Sequence, residues 1–286
     1  MLRSMKALMN YGLLATDGKI GAVDDFLFDD HTWTVRYLVA NTGGWLRGRL
    51  VLISPAALKQ PDWQSHLFPI DLTRDQIEQS PSILSDAPLA RQKELELARH
   101  YDWPIYWAVD GLGGFGAAPI VTPIEPPPAE ARPAQEEGNP HLRSVREVRG
   151  YRIHATDGNI GHADDFIVDD ANWAIRYVVV DTRNWLPGRK VLMAFDWIEE
   201  VSWPDARVVV CHSRDEIENS PEYDPAAPVN REYEEVLHDY YGRPRYWEPH
   251  GQRARSGRSG QNKTMTAPTV HRRGASSWDG GRRDKK

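Results

Sequence analysis

A chain of 286 residues, 40% hydrophobic and 27% charged, has room for about two domains of ordinary size. No run approaches the roughly 20 apolar residues of a membrane helix, the opening MLRSMKALMNYGLL lacks a signal peptide's apolar core and cleavage site, and the single Cys211 excludes an intramolecular disulfide and a cysteine-built zinc site. A cytoplasmic protein is expected, unevenly charged: ten Lys and Arg against Asp279 and Asp284 put +8 on residues 250–286 and leave −14 on residues 1–249.

Residues 11–107 align with 151–247 at a constant offset of 140, without a gap, and about 39 of about 97 positions are identical. One fold is therefore present twice, as repeat 1 over residues 1–108 and repeat 2 over 149–249. A Gly/Pro-rich linker covers 109–148. The tail, 250–286, has too few large apolar residues to fold alone and is expected to be disordered.

In chain order, Asp17-Gly18 marks a turn, Ile20 to Phe28 a strand, and Asp29-Asp30 with two further residues a hairpin turn. Trp33, Val35, Tyr37 and Val39 alternate onto one apolar face, as do Trp173, Ile175, Tyr177 and Val179, which predicts a core strand. Strands at Arg49 to Ile53 and Leu67 to Ile70, matched by Arg189 to Met193 and Arg207 to Val210, complete a meander of about five. Thr73 to Gln76 and Ser213 to Glu216 have capping-box spacing and start short helices that stop before Pro81 and Pro221. Tyr233, Val236, Leu237, Tyr240 and Tyr241 predict an amphipathic helix after an Asn230 cap; Lys93 and Glu96 at matching positions predict that its counterpart buries less. Both repeats close on Pro-x-Tyr-Trp, at 104–107 and 244–247. The expected class is mainly β with added helices: two tandem small antiparallel β-barrels, each followed by a short and a longer helix.

Three motifs recur in both halves: Asp-Gly-x-Ile-Gly-x-x-Asp-Asp-Phe at 17–26 and 157–166, Trp-x-x-Arg-Tyr at 33–37 and 173–177, and Gly-Arg-x-Val-Leu at 48–52 and 188–192. They resemble the PRC-barrel domain, the small β-barrel of the photosynthetic reaction-centre H subunit and of RimM-type ribosome-maturation factors. The resemblance covers about 70 residues of each half. It implies a non-enzymatic interaction or scaffold module docking on a larger assembly, such as a membrane-associated or photosynthetic complex to which the chain would be peripheral at the inner membrane. The alternative it implies is a ribosome- or RNA-associated assembly factor. The chain shows neither the H subunit's transmembrane helix nor the ribosome factor's N-terminal domain, so the expectation stays at docking on a protein partner, with no cofactor.

Candidate chemistry is sparse. Asp24-Asp25 with Asp29-Asp30, and Asp164-Asp165 with Asp169-Asp170, lack calcium-loop spacing and are expected to accept backbone amide bonds beside the hairpin. His154, His162, His212 and His238 face Leu14, Ala22, Leu72 and Ala98, so a histidine constellation could belong to one copy only. Gly111 to Gly116 satisfies Gly-x-Gly-x-x-Gly but runs into Ala-Ala-Pro, not into a helix. No catalytic, cofactor or metal residue is expected. Trp45 with Arg49, and Trp185 with Arg189, on loops ending Trp-Leu-x-Gly-Arg, are the candidate partner-binding residues, being the types that dominate binding hot spots; the other reading is that the Trp folds back to plug the barrel mouth. Arg253, Arg255, Arg258, Arg272, Arg273, Arg282 and Arg283 are candidate contacts to RNA phosphates or anionic lipid. The two repeats are expected either to dock bivalently or to pack on each other as a pseudo-dimer, with homo-oligomers a further arrangement.

Overall fold

The computed structural model describes residues 1–81, 89, 91–106, 141–182 and 189–248. Outside them lie Trp107, the linker to residue 140, Gly111 to Gly116, Trp185 and the tail arginines. The chain divides into two compact units, Met1–Tyr241 and Gly242–Lys286. In the second, Arg245 pairs with Glu248 at 3.3 Å and Tyr246 meets Trp247 edge-on.

The first unit is mainly β and holds one sheet per repeat. Repeat 1 supplies β2 (Gly12–Ala15), β3 (Gly18–Asp29), β4 (Thr34–Asn41), β5 (Leu50–Ile53) and β6 (Leu67–Pro69), in the order β5-β4-β3-β2-β6. Repeat 2 supplies β8 (Arg152–Ala155), β9 (Gly158–Asp169), β10 (Ile175–Asp181), β11 (Lys190–Ala194), β12 (Ile198–Ser202) and β13 (Arg207–Val210), in the order β11-β10-β9-β8-β13-β12. The sheets are mixed, not antiparallel as the meander predicted: β6 runs parallel to β2, and β13 to β8. Turn signals say where a strand ends but not which sheet edge is free, and the chain after β5 returns to the far edge. Among the described residues the pairing is an open path from β5 to β6 and from β11 to β12.

The repeated glycine of the Asp-Gly-x-Ile-Gly motif has a steric cause. Gly21 and Gly161 have φ of +142° and +146°, and a Cβ there would lie 1.9 Å and 2.0 Å from the carbonyl oxygens of Asn41 and Asp181. Only glycine lets the neighbouring strand approach so closely.

The arms that begin each repeat cross over. Residues 142–148, placed in the linker by the sequence, form β7 (Leu142–Ser144) and a one-turn helix, α4 (Val145–Val148), where β7 pairs with β3 of repeat 1. Reciprocally, β1 (Leu2–Ser4) and α1 (Met5–Leu8) lead repeat 1, and β1 pairs with β9 of repeat 2. Each arm covers a stretch of edge that its host strand would otherwise leave open. Met5, Leu8, Val145 and Val148 are all buried. The repeat thus begins at Leu2-Arg3-Ser4 and Leu142-Arg143-Ser144, nine residues earlier than the alignment from 11 and 151.

The hairpin tips are exchanged too. Trp33 and Trp173, assigned by alternation to their own core faces, stand outside the strands at φ of 51° and 59°. Trp33 stacks on Phe195 of repeat 2 with ring centroids 3.9 Å apart, and Trp173 stacks against Phe26 and Phe68 of repeat 1 at 6.2 Å and 6.1 Å. Backbone bonds join the tips, Val35 N–H donating to Trp173 O at 2.9 Å and Ile175 N–H to Trp33 O at 2.7 Å. Val35, Tyr37 and Val39 are buried as predicted.

Both capping boxes form, on α2 (Arg74–Glu78) and α5 (Arg214–Glu218), with hydroxyl and side-chain bonds in each direction. The longer helices are α3 (Arg91–Tyr101) and α6 (Arg231–Tyr240). Their inward faces differ from the apolar spacing: Val236 and Tyr240 are exposed, while Glu234, Leu237 and His238 are buried. α3 buries the same positions, Glu94, Leu97 and Ala98, so it is inserted in the same way despite Lys93 and Glu96. Leu97 packs on Tyr37, Val39 and Leu52, and burying such a leucine stabilises by about 1.5–3 kcal/mol. Among the described residues no helix is long and apolar enough to cross a membrane.

Candidate functional site

The aspartate runs frame the crossover. A register shift at Val23/Asp25, repeated in β9 between the partners of Val179 and Val180, is a bulge that turns Asp25 and Asp165 inward while Asp24 and Asp164 stay at the surface. Asp25 accepts from its neighbour Phe26 N–H at 2.8 Å, from Arg146 N–H at 3.0 Å and from the Ser144 hydroxyl. Asp165 accepts from Phe166 N–H at 2.7 Å, Lys6 N–H at 2.8 Å and the Ser4 hydroxyl. In each case the serine also caps the one-turn helix that follows it. Burial pushes both carboxyls above the usual range against these bonds, which pull them down. Partial burial also pushes Asp164 up, but Lys190 at 2.6 Å and Lys6 at 2.8 Å outweigh that and bring it down to about 2. Asp29 closes its own turn, accepting from Thr32 N–H at 2.9 Å, and Asp30 and Asp170 take the arm arginines, Arg143 and Arg3, each at 3.0 Å.

Under each long helix a buried glutamate meets a strand tyrosine. Tyr37 and Tyr106 donate to Glu94 at 3.2 Å and 2.6 Å, and Arg91 lies 3.4 Å away. Tyr177 donates to Glu234 at 2.9 Å and also meets His238 Nε2 at 3.0 Å, while Arg231 lies 3.0 Å from Glu234. Burial, reinforced by Glu94, pushes the Tyr37 and Tyr106 phenols far above their usual value, so they stay protonated donors. These groups anchor helix to sheet. Apolar spacing missed the glutamates because a carboxylate is buried only where the fold brings it donors.

The nominated loop residues are placed differently from one another. Arg49 donates to the carbonyls of Glu78, at 2.9 Å, and Ser80, at the end of α2; Arg189 donates likewise to Ser220 O. Both guanidiniums hold helix-end carbonyls. Trp45 is half-buried with the Arg74 guanidinium 4.6 Å over its ring. Its counterpart Trp185 lies outside the described residues.

A cleft of about 610 Å³ opens elsewhere, between β4, the turn at Ser54 to Ala56, the segment Trp103 to Tyr106, and the hairpin tip Asp170 to Trp173 of the other repeat. Its wall includes Arg36, Trp103, Tyr106 and Trp173, all half-buried, with the Arg36 guanidinium 4.1 Å over the Tyr106 ring. The signal that could have found it is the repeat itself. Trp103 faces Arg243 in the alignment, one of the few tryptophans without a matched partner, and Pro55 stands where repeat 2 has Phe195. Phe195 fills its own position against Trp33, whereas Pro55 leaves the space beside Trp173 open.

Comparison with protein-family models and with curated proteins finds no match for this chain.

Proposed function

We propose that this chain is a non-enzymatic docking module: two PRC-barrel-like repeats, locked together by their arms, that hold a segment of a protein partner in the cleft built by both. The observation that carries the reading is the cleft wall, where Trp, Tyr and Arg from two repeats converge. Such side chains supply most of the energy at protein interfaces, because rigid aromatic area is buried at little entropic cost. The barrel assignment rests on the paired sequence motifs; the partner class it suggests is a larger assembly, including a membrane-bound or photosynthetic complex. A second reading, RNA or anionic-lipid contact through Arg253 to Arg283, is favoured by the +8 charge of residues 250–286 beside an acidic body.

The test is affinity capture from native lysate with the full chain, the cleft-filling variant P55F, the truncated variant W103A, and a chain ending at Pro249, washed at low and high salt with and without nuclease. Retention of one complex through high salt by the full and shortened chains, lost in P55F and W103A, supports docking in the cleft. Retention that vanishes with the tail, salt or nuclease supports the second reading and defeats the first.

A further inference from the structure

The geometry points to a divalent transition-metal site, taking Zn²⁺ or a similar imidazole-loving ion, formed by Asp30, His31 and His141 where the arm of repeat 2 lands on the hairpin tip of repeat 1. One ligand atom from each residue lies within 4.8 Å of the others. His141 Nδ1 is already 3.0 Å from Asp30 Oδ1, and the two imidazole rings lie with centroids 4.1 Å apart, tilted by 51°. Zinc bonds of about 2.0–2.1 Å in a tetrahedron place donor atoms roughly 3.3 Å apart, so the His141–Asp30 pair has the right separation and an exposed His31 has only to swing inward.

The surroundings are built. The Asp30 N–H donates to His141 O at 2.8 Å, which fixes the two ligand backbones against each other through the arm pairing. Arg143 Nε binds Asp30 Oδ2 at 3.0 Å, orienting the carboxylate so that Oδ1 faces the histidine, as partners behind a metal ligand do. The Asp30 side chain is only 7% exposed, and Asp29 adds a second negative charge one residue away. Two imidazoles and one carboxylate match zinc, copper or nickel better than calcium or magnesium, and leave a fourth position for water. The matching positions at the other crossover are Met1 on the arm of repeat 1 and Asp170 and Ala171 of repeat 2, with neither imidazole, so the site belongs to one crossover. Because His141 precedes the exchanged strand directly, a bound ion would staple the crossing arm to its host.

The experiment uses the full chain stripped of metal with a chelator. Zn²⁺ is titrated calorimetrically, Co²⁺ is followed by its visible absorption, and melting is measured with and without zinc. The expected result is one zinc per chain and a raised melting temperature, with H31A and H141A each weakening binding by a factor of roughly ten or more. H31A, an exposed position, should leave the metal-free melting temperature unchanged and abolish its rise with zinc. The proposal is overturned by an absence of saturable binding, or by binding that persists undiminished in the H31A/H141A double variant, which would place the ion elsewhere on the chain.

Discussion

Repeats 1 and 2 share a backbone plan but fill the space beneath the long helix with different chemistry. Repeat 1 has Ala57, Leu72 and Ala98 there; repeat 2 has Trp197, His212 and His238. In repeat 2 the Trp197 ring lies 5.6 Å from His212, 5.2 Å from His238 and 4.7 Å from Tyr241, while His238 reaches the Tyr177 hydroxyl. What the copies keep in common is the bulged aspartate, the arm serine, the glycine under the crossing strand, the capping boxes and the Tyr–Glu pair. Strand entry and arm docking have one geometrical solution each, whereas a core tolerates many fillings of about the right volume.

The largest expected effect tests that difference. W197A should cost repeat 2 about 3–5 kcal/mol, because it would remove a fully buried ring packed among His212, His238 and Tyr241, and repeat 1, with Ala57 at that place, offers no equivalent loss. Denaturant unfolding followed by the remaining tryptophans measures it, and a loss below about 1 kcal/mol would mean that the cluster is peripheral to stability.

Next come the arms. M5A and L8A should each destabilise by about 2–5 kcal/mol, more than V145A or V148A, since longer buried side chains are removed. Because α1 and β1 complete repeat 2, a fragment starting at Arg149 should melt below the intact chain even though it contains every residue of repeat 2 from that point. Equal melting temperatures would mean that the crossover adds nothing.

A smaller effect is expected at the clamps. D25A and D165A each leave arm donors without an acceptor and should cost about 1–3 kcal/mol, by similar amounts in the two copies. A large inequality between them, read from thermal melts, would show that one arm dominates.

The smallest effect separates the copies by pH. Asp164 is held at about 2, below the usual 3.8, so its contribution is fully present above that range and is lost as pH falls toward 2. Asp25 and Asp165, pushed upward, act oppositely: their contribution is greatest in acid and declines as pH rises through their folded values. Lys190 faces Leu50 in the alignment, so K190A isolates the first effect. Wild type should melt above K190A at neutral pH, and the gap should narrow as pH falls toward 2; a gap that is constant with pH would assign Lys190 a packing role only.

Much of repeat 1 and repeat 2 was legible as local chemistry. The Asp17-Gly18 turn, the strand at Val35 to Val39 and the caps at Thr73 and Ser213 each follow from a dihedral, an alternation or a hydroxyl within a few residues. The cleft was not. Trp45 and Arg49 stand out in the sequence because loops carry function; the fold also gives Arg49 a helix end to hold, and the aromatic cleft wall is lined by Pro55 together with a hairpin tip from the other repeat. That there are two copies, and where their turns, caps and glycines fall, follows from the residues alone, because those preferences are settled within a few bonds of each residue. The pairing of arms, the inward glutamate on each long helix and the cleft arise only when distant segments pack together. Leu2-Arg3-Ser4 and Leu142-Arg143-Ser144 are identical, and each pairs with the long strand of the other repeat, a choice that no residue within the arm encodes.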